Sequence, residues 1–165
     1  MPIKNRKAAH FVIAFAWAIY ALSWFLPVAK SGVDVFSGWD AFHFALTPVL
    51  PNSPAHKDVL TDPWYYQVLS VASAATTFMF VVGPPLAVWS GSRLVLRACA
   101  WAATTAFIVN THWYFLWDIR SDLSVGYFLW WLSFGVLAIG LFRRSSRSTV
   151  SQYGHATQTE EQEPT

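Results

Sequence analysis

Between Lys7 and Lys30, Asp62 and Arg93, Arg97 and Asp118, and Asp122 and Arg143, the chain carries no Asp, Glu, Lys or Arg for at least 20 residues at a time. Apolar runs of that length match a bilayer core of roughly 30 Å crossed by a helix rising ~1.5 Å per residue. Only 12% of the residues are charged and 55% are hydrophobic, whereas soluble domains carry about 25% charged residues. The fold expected is an all-α membrane protein: a four-transmembrane-helix antiparallel bundle with spans at about 8–28, 63–83, 93–117 and 123–142. These make one domain, residues 1–142, followed by a polar tail, 143–165, too poor in apolar residues to bury a core and therefore expected to be disordered.

The first span comes after a basic start, as in a secretory signal. Its apolar core is too long for a signal h-region and no small-residue cleavage site succeeds it, so it is read as an uncleaved helix. The second opens at Asp62-Pro63, where Asp can cap free N–H groups and Pro has none to lose. Gly83-Pro84-Pro85 is expected to kink or end it. Orientation is set by the Lys/Arg bias of short loops. With both termini in the cytoplasm, Lys4, Arg6, Lys7, Arg93, Arg97, Arg143, Arg144 and Arg147 lie inside and Lys30, Lys57 and Arg120 outside. Trp24, Trp64, Tyr65, Tyr66, Trp113, Tyr114, Trp117, Tyr127, Trp130 and Trp131 then gather at the outer end, which reads as a belt of interfacial anchors.

One long connection, 29–62, lies outside. Within it, Ser37 and Asp40 have capping-box spacing and Trp39, Phe42 and Leu46 share a helical face, with His43 beside them, so a short interfacial helix is expected, lying on the bilayer or over the bundle mouth. The three prolines of TPVLPNSPAH should end it.

Ala-Ala-Thr-Thr occurs at 74–77 and again at 102–105. Pairing Pro63 with Trp117 and Gly83 with Arg97 puts both segments near mid-bilayer, so Ala74, Thr77, Ala103 and Thr104 are expected to form a close helix contact. The same register sets Ser70 opposite Asn110. Arg97, Thr104, Thr111 and Asp118 recur every seven residues; the threonines can bond their own helix and the two charges can snorkel, so the stripe reads as structural. Asn110 and His112 point about 200° apart at ~100° per residue, so one neighbour cannot meet both. Asn110 reads as helix-packing glue on the face of Cys99, Ala103 and Ala106, and His112 as an interfacial or helix-bonded imidazole.

Much chemistry is excluded. A single cysteine, Cys99, permits no internal disulfide, CxxC pair or thiolate zinc cluster. Paired haem ligation needs two facing histidines within the membrane, whereas His10 lies at the opposite end from His112 and His43 and His56 lie in the loop. Asp34, Asp40, Asp58, Asp62, Asp118 and Asp122 match no EF-hand, and no P-loop, nucleophile elbow or HExxH occurs. No metal or cofactor is therefore expected. A net charge of +2 gives no footprint for nucleic acid.

Leu22–Pro27 (LSWFLP), Gly38–Phe42 (GWDAF) and Gly126–Phe134 (GYFLWWLSF) resemble a class of small four-span bacterial membrane proteins. These pair an LS-x-FLP end of span one with a later GW-x-AF and close with a GY-x-LW-x-x-SF helix. The resemblance implies a bacterial inner membrane and carries no established activity or catalytic residue.

Together these features describe a small polytopic protein without enzymatic activity. It would be an accessory or membrane-interaction protein whose partners are the bilayer and a second membrane protein or further copies of itself. The alternative is an oligomeric small-molecule binding or transport module with its site at the outer end, formed by Asn110, His112, Asp118, Arg120, Asp122, Trp39 and His43.

Overall fold

The first helix stops short. In the computed structural model, which describes residues 4–50, 63–115 and 120–160, helix α1 covers Lys4–Ser23 and its apolar part, Ala9–Ser23, is shorter than a bilayer span. The span expected from the uncharged run extends to Val28. Instead the last turn tightens, with the N–H groups of Trp24, Phe25 and Leu26 donating to carbonyls three residues back. Pro27 then forbids continuation, since its ring disfavours helical backbone in the residue before it.

Beyond α1 the chain forms a hairpin where only a loop was expected: β1 (Pro27–Ser31) pairs antiparallel with β2 (Asp34–Ser37). Gly32, at φ 60°, opens the two-residue turn, the position where such hairpins take glycine. One edge of β1 is also satisfied: Lys30 N–H donates to Asp122 O at 2.8 Å and Ser124 N–H to Val28 O at 2.8 Å.

Helix α2, Gly38–Leu46, is the short helix expected, and its capping box is complete: Asp40 N–H donates to Ser37 Oγ at 3.4 Å, and Ser37 N–H to Asp40 Oδ2 at 3.0 Å. A 3-10 turn at Thr47–Val49 succeeds it. The remaining prolines of that stretch, and Asp62, lie outside the described residues.

Helix α3 runs Trp64–Ser90, straight through Pro84-Pro85, and stops at Gly91, in the left-handed region at φ 61°. The expected end at residue 83 is overturned. Prolines are tolerated in packed apolar helices because neighbours and local adjustments re-satisfy the freed backbone; beside this pair Cys99 Sγ donates to Gly83 O at 3.6 Å, tying α4 to the same turn. Helix α4, Arg93–Asn110, breaks at Thr111 before the short α5, His112–Phe115. Trp117 and Asp118 lie outside the described residues. Helix α6, Val125–Glu160, starts where expected but continues past Phe142. The segment expected to be disordered carries helical backbone as far as Glu160, since propagating a helix already nucleated by a packed span costs little per residue.

Three helices are long and apolar enough to cross a membrane: Trp64–Ala87, Arg93–Phe115 and Val125–Ser146. They are the mark of a membrane protein. α6 packs against α1 and α4, and α3 against α4. Through the middle, Tyr20 stacks on Phe80 at 4.2 Å and Phe80 meets Phe134 edge-on at 5.1 Å. At one end His10 Nδ1 lies 3.4 Å from an Arg144 guanidinium nitrogen; the opposite end is capped by the hairpin and α2.

Candidate functional site

At the capped end the elements do not meet in solid packing. They enclose a cavity of about 410 Å³, within the size range of small-molecule sites. α1 supplies Ser23, with Trp24 just beyond its end, and the hairpin supplies Val28, Ala29 and Phe36. α2 roofs it with Ala41, Phe42, Phe44 and Ala45, while α3 offers Ser70, Ser73, Ala74 and Thr77. Trp113, Leu123, Tyr127 and Trp130 close the far wall. No Asp, Glu, Lys, Arg or His is among these side chains.

Two glycines decide how these segments meet. A Cβ on Gly38 would lie 2.7 Å from Trp24 Cα, and one on Gly126 would lie 2.6 Å from Pro27 O. The backbones of α2 and α6 therefore press directly on the end of α1. Trp24 then touches both Trp39 and Phe42, with ring centroids 5.7 and 5.5 Å away, and Phe42 reaches Phe78 on α3 at 5.7 Å.

Behind the α3 wall sits a polar network centred on Asn110, which is fully buried. Ser73 Oγ donates to Asn110 Oδ1 at 2.7 Å, and Asn110 Nδ2 donates to Thr76 Oγ1 at 3.0 Å and Ala106 O at 2.9 Å. Trp113 Nε1 donates to Ser73 Oγ at 3.0 Å and Tyr127 Oη to Asn110 O at 2.7 Å. The expected partner of Asn110, Ser70, is replaced by Ser73 and Thr76, nearly one turn deeper. The expected register rests on helix ends at Trp117 and Gly83, and neither end is where α4 and α3 stop.

The aromatics also differ from expectation. Trp113 and Tyr127 turn inward as donors, as does Trp131, whose Nε1 lies 3.0 Å from both Phe107 O and Thr111 Oγ1. The bonds from Tyr127 and Trp131 satisfy α4 carbonyls near the helix break, and that from Trp113 reaches the Ser73 hydroxyl of α3. Trp64 and Tyr65, both exposed, remain free to act as anchors.

None of the described residues proposed from sequence as the outer site lines the cavity. Asn110 stands one residue behind it. His112 Nδ1 bonds back to Val109 O, and its Nε2 is buried with no partner among the described residues. Arg120 donates to Tyr114 Oη at 2.7 Å and lies over that ring at 4.5 Å. Asp122 contributes its backbone oxygen to the hairpin clasp. Trp39 and His43, with ring centroids 4.5 Å apart, lie on the outer side of α2. Asp118 lies outside the described residues.

Of the packing residues, Ala103 is in the core and Thr104 Oγ1 bonds Ala100 O at 3.0 Å, but Ala74 and Thr77 face the cavity. The side-chain bonds between α3 and α4 come from Ser73 and Thr76, on Asn110, and from Cys99, on the Gly83 carbonyl. Among the described residues no group of three or more His, Cys, Asp or Glu comes together.

The roof has its own electrostatics. Bonds from the Ser37 hydroxyl and backbone N–H hold the Asp40 carboxyl below the usual carboxylate range. A carboxyl held low in the folded state contributes stability above its ordinary pKa and loses it as pH falls through the lowered one. Amide hydrogen exchange over residues 38–46 should therefore stay slow at neutral pH and accelerate only below the ordinary carboxylate range. Asp40→Asn should exchange quickly at both pH values; equal exchange in the two proteins would remove the cap from the roof's stability.

Comparison with protein families, curated proteins and solved structures finds no match for this chain.

Proposed function

We propose that this is a multi-pass membrane protein of four crossing helices that binds an uncharged, largely apolar small molecule in the cavity at its outer end. The observation that carries the reading is the cavity itself: about 410 Å³, walled among the described residues by aromatic and small apolar side chains, with a few hydroxyls and no charge. Such a lining suits a neutral apolar body and repels a charged one, for which desolvation has no compensation.

Topology supports the same reading. The apolar run Ala9–Ser23 rises ~23 Å, short of a core of roughly 30 Å. α1 crosses with the hairpin and α2 standing over its end, so the cavity lies at outer-leaflet level, where a lipid-like molecule has access without passing through water. The eight basic residues at 4–7, 93–97 and 143–147 against three elsewhere put both termini in the cytoplasm, as in a bacterial inner membrane. The motifs that resemble small four-span bacterial proteins, at 22–27, 38–42 and 126–134, are the segments that meet around the cavity. No catalytic step is assigned.

Native mass spectrometry of the protein, released from its own membranes in mild detergent, tests this. A reproducible small bound mass is expected, and Ala45→Trp, which fills the cavity from the roof, should lose it while leaving the assembly unchanged. An empty wild-type protein co-isolating with a stoichiometric second polypeptide would overturn the reading in favour of an accessory subunit.

A further inference from the structure

The hydroxyls of the cavity wall are not equivalent. Ser23 donates to Tyr20 O at 2.6 Å, Ser73 to Asn110 Oδ1 at 2.7 Å, Thr77 to Ser73 O at 3.4 Å and Tyr127 to Asn110 O at 2.7 Å. Each is engaged within the protein. Ser70 differs: it is only 8% exposed, it lines the cavity, and among the described residues its hydroxyl has no hydrogen-bond partner. A helical serine ordinarily bonds back to a carbonyl one turn earlier, as Ser23 and Ser133 do here. A helical hydroxyl left without that bond and opening onto an apolar cavity is available to a bound molecule.

Resting on the binding reading above, we propose that Ser70 recognises a carbonyl oxygen on an otherwise apolar, uncharged ligand of the long-chain ketone, ester or quinone class. The wall offers this oxygen a donor, the Ser70 O–H, which bonds nothing else among the described residues and opens onto the cavity. A carbonyl accepts and brings no proton of its own. An alcohol or amide could meet the same hydroxyl, but it would bring a further proton of its own for which the apolar lining offers little else to accept. A carboxylate would bring a charge with no counter-charge in the lining.

Two diazirine-bearing photoprobes of equal chain length, one a long-chain methyl ketone and one the matching alkane, would be cross-linked to the full-length protein in lipid nanodiscs and the labelled residues mapped. In wild type both are expected on Phe42, Ala45 and Trp130, the ketone favoured about five- to tenfold, the factor a single net hydrogen bond supplies. Ser70→Ala should erase that preference while leaving alkane labelling and the melting temperature unchanged; Ser70→Thr should keep it. If the alkane labels the cavity and the ketone preference survives Ser70→Ala, or never appears, the role of Ser70 is overturned and the cavity site stands. If neither probe labels these residues, the cavity site itself fails.

Discussion

Asn110→Ala should destabilise the protein by ~2–3 kcal/mol in SDS-driven unfolding from mixed micelles, by the loss of its bonds and the void left behind. The side chain makes three hydrogen bonds, two of them to α3 through Ser73 and Thr76. Interhelical bonds in membranes average about 0.6 kcal/mol and reach about 1.7, and the void at a fully buried site adds to their loss. Asn110→Leu, which refills the volume but makes no bond, should recover part of the loss and sit ~1–2 kcal/mol below wild type. Because Ser73 Oγ also accepts from Trp113, Ser73→Ala and Asn110→Ala should be non-additive in a double-mutant cycle. An alanine variant within about 0.5 kcal/mol of wild type, the scatter of such cycles, would mean that the network does not hold α3 to α4.

The positions of Asn110 and Ser70 show how far the sequence could be read. Uncharged runs located the helices because the bilayer tolerates so little else. Ser37 and Asp40 announced α2 because a capping box is local chemistry, complete within four residues. The fully buried face of α4, Ala103, Ala106 and Asn110, came from helical period alone. Which α3 hydroxyl meets Asn110 did not. That depends on a register between helices whose ends were set by tertiary contacts: a turn of α3 beyond Pro85, and a break at Thr111 where Tyr127 and Trp131 take over α4 carbonyls. A shift of three residues along a helix keeps the face within about 60° and changes the depth by ~4.5 Å. It left Ser70 on the cavity wall alone and brought Ser73 to Asn110.

The cavity itself was hidden for a different reason. Its walls come from segments far apart in the chain, and no single one looks like a site. Titratable side chains drew attention to His112, Asp118 and Arg120, as they would in an aqueous cleft, whereas an apolar cavity is built from residues that resemble ordinary core. The readable trace was the pair of glycines in Gly38-Trp39 and Gly126-Tyr127, each preceding a bulky aromatic. Only the structure shows that each marks a place where one backbone presses on another.

Gly126→Ala tests that close approach and should be the most damaging single methyl in the protein. The added Cβ would lie 2.6 Å from Pro27 O and 2.9 Å from Leu26 O, both backbone atoms that no rotamer change can move aside. Pro27 begins β1, and β1 is clasped to residues 122–124 by the bonds from Lys30 and Ser124. Shifting Pro27 therefore pulls on that clasp and on Val28, Ala29, Leu123 and Tyr127, four side chains of the cavity wall. Overpacking of this kind costs about 1–3 kcal/mol where neighbours can yield, and a backbone contact yields least, so ~3 kcal/mol is expected, with loss of the bound small mass. Gly32→Ala is the matched control: its φ of 60° strains an alanine, but open space surrounds the position. It should cost only about 1–2 kcal/mol and leave the bound mass in place. Hydrogen exchange at Lys30 and Ser124 separates the two, rising in Gly126→Ala and not in Gly32→Ala. Were Gly126→Ala to keep both the clasp and the ligand, the contact between α6 and the end of α1 would not be what shapes the cavity.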